Sequence, residues 1–173
     1  MNGDGVDDLA VGAQEADCVG TGNNCGEVHI MFMNTDGSVD STVEINDSTT
    51  NGPAIIATDN FGKSVANVGD LDGDGVNDLA VGAHKDDDGD AGTSEHGAIH
   101  IMFMNTDGSV KSTEEVKGST TNGPTTSWKD QFGISVANIG DLNNDGVNDI
   151  AVGASTDDKG GSNRGALHLI FMK

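Results

Sequence analysis

The stretch DLDGDGVNDLAVGA, Asp70–Ala83, decides how the rest of this chain is read. Its first nine residues carry Asp70, Asp72, Asp74 and Asp78 around Gly73 and Gly75, and its last five, LAVGA, are apolar or small. Two carboxylates roughly 4 Å apart repel by about 1 kcal/mol in water and several-fold more near a protein surface. A cation among them removes that cost. Calcium takes roughly six to eight oxygens from carboxylates, amides and backbone carbonyls. Counted from Asp70, positions 1, 3, 5 and 9 are Asp70, Asp72, Asp74 and Asp78; position 7, Val76, offers its carbonyl, and Gly75 permits the sharp turn.

The pattern recurs. FGKSVANVGDLDGDGVNDLAVGA (Phe61–Ala83) returns as FGISVANIGDLNNDGVNDIAVGA (Phe132–Ala154), displaced by 71 residues. GEVHIMFMNTDGSV (Gly26–Val39) returns at the same displacement of 71 as GAIHIMFMNTDGSV (Gly97–Val110), and again in part as GALHLIFMK (Gly165–Lys173). In the later acidic loop the donor places hold Asp141, Asn143, Asp145, Val147 and Asp149; Asn143 keeps an oxygen and removes a charge. The opening copy, NGDGVDDLAVGA, keeps Asn2, Asp4, Val6 and Asp8 and lacks position 1, so its site is incomplete. The EF-hand shares these first nine positions, but needs a Glu at position 12 and helical flanks. Here position 12 is Val81 or Val152, and the flanks read as strands. A solvated Asp-Gly turn is the bland alternative; two full copies with an oxygen donor at each alternate position argue against it.

Composition by itself points toward disorder. Val, Ile, Leu and Phe make up 36 of 173 residues and the formal net charge is −21. Order along the chain overrides that warning, because apolar residues stay in register from copy to copy. Each unit offers four strand-like runs: FGKSVANVG, DLAVGA, the doubly apolar GAIHIMFMN, and the wetter SVKSTEEVKG. NTDGS (Asn34–Ser38 and Asn105–Ser109) is a hairpin signal, and STTNGP (Ser48–Pro53 and Ser119–Pro124) marks the passage between units. A middle strand apolar on both faces needs cover on both sides, and stacked four-stranded sheets provide it in a β-propeller. The expected fold is therefore all-β: antiparallel four-stranded propeller blades, about two and a half of them. Residues 1–52 would supply the last three strands of one blade, 53–123 a complete blade, and 124–173 the first three strands of a third. A closed propeller needs about four or more blades, so the chain reads as part of a longer propeller or as one arc of a ring completed by other copies.

At these residues a family resemblance enters. FGxSVANxGD, the acidic loop and DLAVGA together resemble the FG-GAP repeat of integrin α-subunit propellers and their microbial relatives, over nearly the whole chain. The resemblance implies calcium held within the blade by Asp70, Asp72, Asp74, Val76 and Asp78, and by Asp141, Asn143, Asp145, Val147 and Asp149. One departure is visible: the Pro that often follows Gly-Ala is Gln14, His84 or Ser155.

Other side chains read as structure. His29, His100 and His168 share one place in three repeats; equivalent places on stacked sheets lie roughly 10 Å apart, so packing between blades with a backbone-bonded imidazole is expected. Met31, Met33, Met102, Met104 and Met172 read as gap-filling core. Cys18 and Cys25, alone in the first unit's variable loop, read as a disulfide, which implies an oxidising compartment. For Asp86–Asp90 and Asp157–Asp158 solvated charge is the first reading and a supplementary calcium site the second.

No nucleophile elbow, zinc-protease helix or phosphate loop is present, so no enzyme activity is assigned. Strong acidity argues against nucleic acid, and no apolar run reaches membrane-spanning length. The N-terminal MNGDGVDD has neither a basic start nor an apolar run, so no signal peptide is read there. The expected function is a calcium-binding, extracellular or cell-surface adhesion scaffold with a protein or glycan ligand, assembling as a homo-oligomer or with remaining blades. The rivals are an accessory propeller of a secreted enzyme and a glycan-binding propeller; the lack of Tyr and the lone Trp128 leave few platforms for sugars.

Overall fold

The computed structural model describes residues 1–20, 22–87 and 95–173. The described residues form strands and turns with no helix: β1 (Leu9–Ala13), β2 (Glu27–Met33), β3 (Val39–Ile45), β4 (Phe61–Gly69), β5 (Asp78–Ala83), β6 (Ala98–Met104), β7 (Val110–Val116), β8 (Phe132–Gly140), β9 (Asp149–Ala154) and β10 (Ala166–Ile170). They pair antiparallel into three sheets, β1-β2-β3, β4-β5-β6-β7 and β8-β9-β10, each a meander in chain order. The sequence pattern of three, four and three strands is what the chain builds, as partial β-propeller blades.

The turns follow their local chemistry. In both NTDGS hairpins the Asn N–H reaches the Ser carbonyl, Asn34 to Ser38 at 2.8 Å and Asn105 to Ser109 at 2.9 Å. Asp36 and Asp107 brace the turn by accepting the N–H of Ser38 at 2.9 Å and of Ser109 at 3.0 Å. The strand that follows, β7, is mostly solvated, whereas β5 is buried throughout and β6 nearly so.

Two apolar clusters hold the sheets together. Val28, Ile30 and Ile45 of the first sheet meet Phe61, Leu79, Val81, Met102 and Met104 of the second. Ala80, Ile99 and Ile101 on the second sheet's other face meet Phe132, Ile150, Val152 and Ala154 of the third. A fully buried side chain of this size contributes roughly 1.5–3 kcal/mol. Close approach between sheets depends on a glycine in the strand after the acidic loop of the first and second units. A Cβ at Gly82 would fall 1.9 Å from the Gly133 carbonyl oxygen, and one at Gly12 would fall 1.9 Å from that of Gly62. Polar links cross the same seam, Ser64 Oγ donating to the Gly133 carbonyl at 2.9 Å and Asn148 Nδ2 to the Val68 carbonyl at 3.0 Å.

The predicted disulfide, Cys18–Cys25, is present. It closes the loop between β1 and β2, and the Cys25 carbonyl accepts the Phe61 N–H at 2.8 Å, tying that loop to the entry of the next sheet.

Candidate metal centres

The two complete acidic loops link β4 to β5 and β8 to β9, and the opening loop leads into β1. In the middle sheet Asp70 organises the turn: Oδ1 accepts the N–H of Gly73 at 2.7 Å and of Asp74 at 3.0 Å, and Oδ2 accepts that of Gly75 at 2.8 Å. Asp74 Oδ1 accepts the Val76 N–H at 2.9 Å. Asp78, buried, ties the loop to β6 by accepting from Leu71 at 2.8 Å and from Met104 at 3.0 Å. Gly75, at φ 89°, takes a conformation that L side chains rarely adopt.

The later loop repeats these bonds except the one from Gly73. Asp141 accepts from Asp145 at 3.0 Å and Gly146 at 2.8 Å, and Asp145 accepts from Val147 at 3.0 Å. Asp149 accepts from Leu142 at 2.9 Å and Met172 at 3.0 Å. In the opening loop Asp4 accepts from Val6 at 2.8 Å, Asn2 Oδ1 from Asp4 at 3.1 Å, and Asp8 from Met33 at 3.1 Å.

One carboxylate oxygen from each of Asp70, Asp72 and Asp78 lies within 4.8 Å of the others. These are hard oxygen donors of the kind calcium takes, and the residues fit such an ion by chemistry and convergence. The loop also attracts a cation from the chain itself. Lys111 Nζ donates to Asp72 Oδ2 at 2.6 Å and to Asp74 Oδ2 at 2.8 Å. Lys111 is held above its usual range by Asp72 and then Asp74, and Asp74 is held below its own by Lys111. Burial raises Asp78, and the charges of Asp72 and Asp74 add to that, against the two backbone donors. Sequence reasoning overlooked Lys111, whose counterpart in the first unit is Asp40. It also credited Val76 only with a carbonyl, whereas the Val76 side chain is buried in the core between the first two sheets.

Two expectations need correction. His100 and His168 do not bond a backbone group. Each ring stands edge-on to the Phe that opens its own sheet, His100 on Phe61 at 5.4 Å and His168 on Phe132 at 5.2 Å. Burial pushes His100 down to about 4, and burial likewise lowers His168. His29, whose sheet has no such Phe strand here, meets Glu27 Oε1 at 2.9 Å instead. Solvated charge also fails for Asp86, Asp87 and Asp157, all buried, and holds for exposed Asp158; Asp88 and Asp90 lie outside the described residues. The loops fold back so that Asp86 and Asp157 carbonyls accept from Gly97 and Gly165, each at 3.0 Å, which draws the side chains inward.

Two further acids escaped the sequence reading: Asp59 and Asp130, each two residues before its FG pair, both 1% exposed. Each caps the turn ahead of the first strand, Asp59 accepting from Ile56 at 2.7 Å and Asp130 from Ser127 at 2.6 Å. Burial, with the charges of Asp86, Asp87 and Glu115, raises Asp59 to about 7. Their shared displacement of 71 was the available signal.

Comparison with known proteins agrees with the strand pattern. The FG-GAP repeat family matches residues 61–102 and 132–170. Integrin alpha-6 of Homo sapiens is 43% identical over 102 residues, covering 58% of this chain and 8% of the relative. Integrin alpha-4 of Xenopus laevis is 30% identical over 159 residues, covering 91% of this chain and 14% of the relative. Integrin alpha-5 of Xenopus laevis is 31% identical over 164 residues, 89% of this chain and 14% of the relative. The chain thus spans a small part of the length of these relatives. Among the described residues no helix is long and apolar enough to cross a membrane. The chain carries FG-GAP repeats, and its curated relatives are integrin alpha chains.

Proposed function

We propose that this chain is a calcium-stabilised segment of β-propeller that works outside the cell or at its surface as a scaffold for adhesion or binding. The observation that carries the reading is the convergence of Asp70, Asp72 and Asp78 oxygens within 4.8 Å in a loop whose hydrogen bonds recur at Asp141–Asp149. Relatedness to integrin alpha chains supports an adhesion-type role, and the Cys18–Cys25 disulfide supports an oxidising compartment.

In this reading Asp70, Asp72, Asp74 and Asp78 with the Val76 carbonyl hold one ion, and Asp141, Asn143, Asp145 and Asp149 with the Val147 carbonyl hold another. Asn2, Asp4 and Asp8 with the Val6 carbonyl hold the corresponding donor places of the opening loop. A bound ion supplies positive charge among the carboxylates, and its role is structural. Asp78, bonded to Met104 at the end of β6, and Asp149, bonded to Met172 just beyond β10, transmit that restraint from the loop into the core. The outward faces of the end sheets meet further blades or other copies.

Thermal melts with calcium and with a chelator test this. At a hundredfold excess over Kd, calcium adds about 2.7 kcal/mol for each site. The melting temperature is expected to rise with calcium, and the combined Asp74→Ala and Asp145→Ala variant is expected to lose that rise. Identical melts of the unaltered protein in calcium and in chelator overturn the reading.

A further inference from the structure

We propose a second kind of cation site at the opposite ends of β4 and β5 from the acidic loop, in which Asp86, Glu115 and the His100 imidazole bind a divalent transition metal of the zinc type. One ligand atom from each of the three residues lies within 4.8 Å of the other two. They come from the loop after β5, from β7 and from β6.

Acidic crowding alone does not make a site; His100 is the independent observation. It is 0% exposed, and neither ring nitrogen has a hydrogen-bond partner. A buried polar atom left unpaired costs roughly 1–3 kcal/mol. A neutral imidazole has one nitrogen that only a proton donor or a metal can satisfy, and the groups it meets at Asp86 and Glu115 are carboxylates, which bring no proton when ionised. Asp86 and Glu115 line a cavity of about 210 Å³ whose wall also carries Asp59, Asp87 and Lys117, and Asp59 Oδ1 has no hydrogen-bond partner. A mixed set of one imidazole and carboxylates suits zinc, whereas calcium takes oxygen alone.

The other sheets act as internal controls. In the third sheet Asp130, Asp157 and His168 repeat the arrangement, with His168 Nε2 3.6 Å from Asp157 Oδ2, neither atom hydrogen-bonded, and Lys159 Nζ 3.8 Å from the same oxygen. That sheet has no fourth strand here to supply a carboxylate in Glu115's place. In the first sheet Ala16 stands where Asp86 does, and His29 spends Nε2 on Glu27. Lys117 supplies the counter-charge in the middle sheet, Nζ resting 2.8 Å from Glu115 Oε2, and so competes with a metal.

Zinc is titrated calorimetrically into the full chain in excess calcium, which keeps the acidic loops occupied; the described residues contain no free cysteine to bind it. Zinc uptake is expected, weakened about tenfold or more by Asp86→Asn and by Glu115→Gln, tightened by Lys117→Met, and unchanged by Asp74→Ala. The His100 ring signals are expected to shift at saturation. Lys117→Met guards against a folding artefact, because it is expected to gain affinity. No zinc uptake, uptake indifferent to both carboxylate substitutions, or unmoved His100 signals overturn the proposal.

Discussion

The middle sheet and the end sheets are built from the same words and meet different fates. Leu79 and Val81 are 3% and 0% exposed, while Leu9 and Val11, in the same places of the first sheet, are 48% and 42% exposed. On the opposite face Ile99 and Ile101 are 0% and 1% exposed, whereas Leu167 and Leu169 of the third sheet stand at 69% and 46%. The repeat encodes a strand that is apolar on both faces, and only a neighbouring sheet turns it into core. An open apolar face of this kind, with Phe171 at 53% beside the two leucines, is the sort of surface that marks an interface.

The largest contrast lies in side-chain truncation. Ile101→Ala, in the seam between the second and third sheets, is expected to cost about 2–5 kcal/mol. Leu169→Ala, at the same place on the open face, is expected to stay within about 0.5 kcal/mol. Denaturant unfolding of both variants measures the difference, and equal costs would mean that the open face is covered in solution.

Glycine sharpens the comparison. Gly82→Ala forces its Cβ against the Gly133 carbonyl and is expected to cost roughly 1–3 kcal/mol. Gly153→Ala, its counterpart in the third sheet, meets the Ser135 hydroxyl rather than a neighbouring backbone, and a side chain can turn away. A smaller loss of melting temperature is therefore expected there. Equal losses would show that the strand itself, and not the neighbouring sheet, demands glycine.

The mildest perturbation is a proton. His100, depressed to about 4 by burial, binds fewer protons when folded than when unfolded. The stability of its neutral form is present above the ordinary value of 6.5 and is lost as pH falls from there toward 4. In chelator-treated protein its ring signals are expected to keep their neutral positions down to about pH 4. A midpoint near 6.5 would show that the seam around Phe61 admits water.

Much of this architecture was legible before any coordinates. Phe61 and Phe132 open strands, Asp-Gly turns close hairpins, and Val28, Ile30 and Met102 fall in the core, because alternation and turn chemistry act over a few residues. The acidic loops were legible for the same reason: their oxygens come from one short segment. The pairing of Lys111 with Asp72 and Asp74 was hidden, since it joins β7 to a loop two strands earlier. So was the environment of the histidines, which depends on a ring from another strand.

The repeat pattern by itself determined the all-β class, the strand order within each sheet, and which loops crowd carboxylates together. Only the tertiary structure decided that Asp59, Asp86 and Asp157 are buried rather than solvated, and that Asp86 and Glu115 converge on His100. Strand period and turn type are set by contacts between near neighbours in the chain, and so can be read along it. Burial of a charge and the meeting of distant ligands depend on how whole sheets stack, a property no single repeat carries.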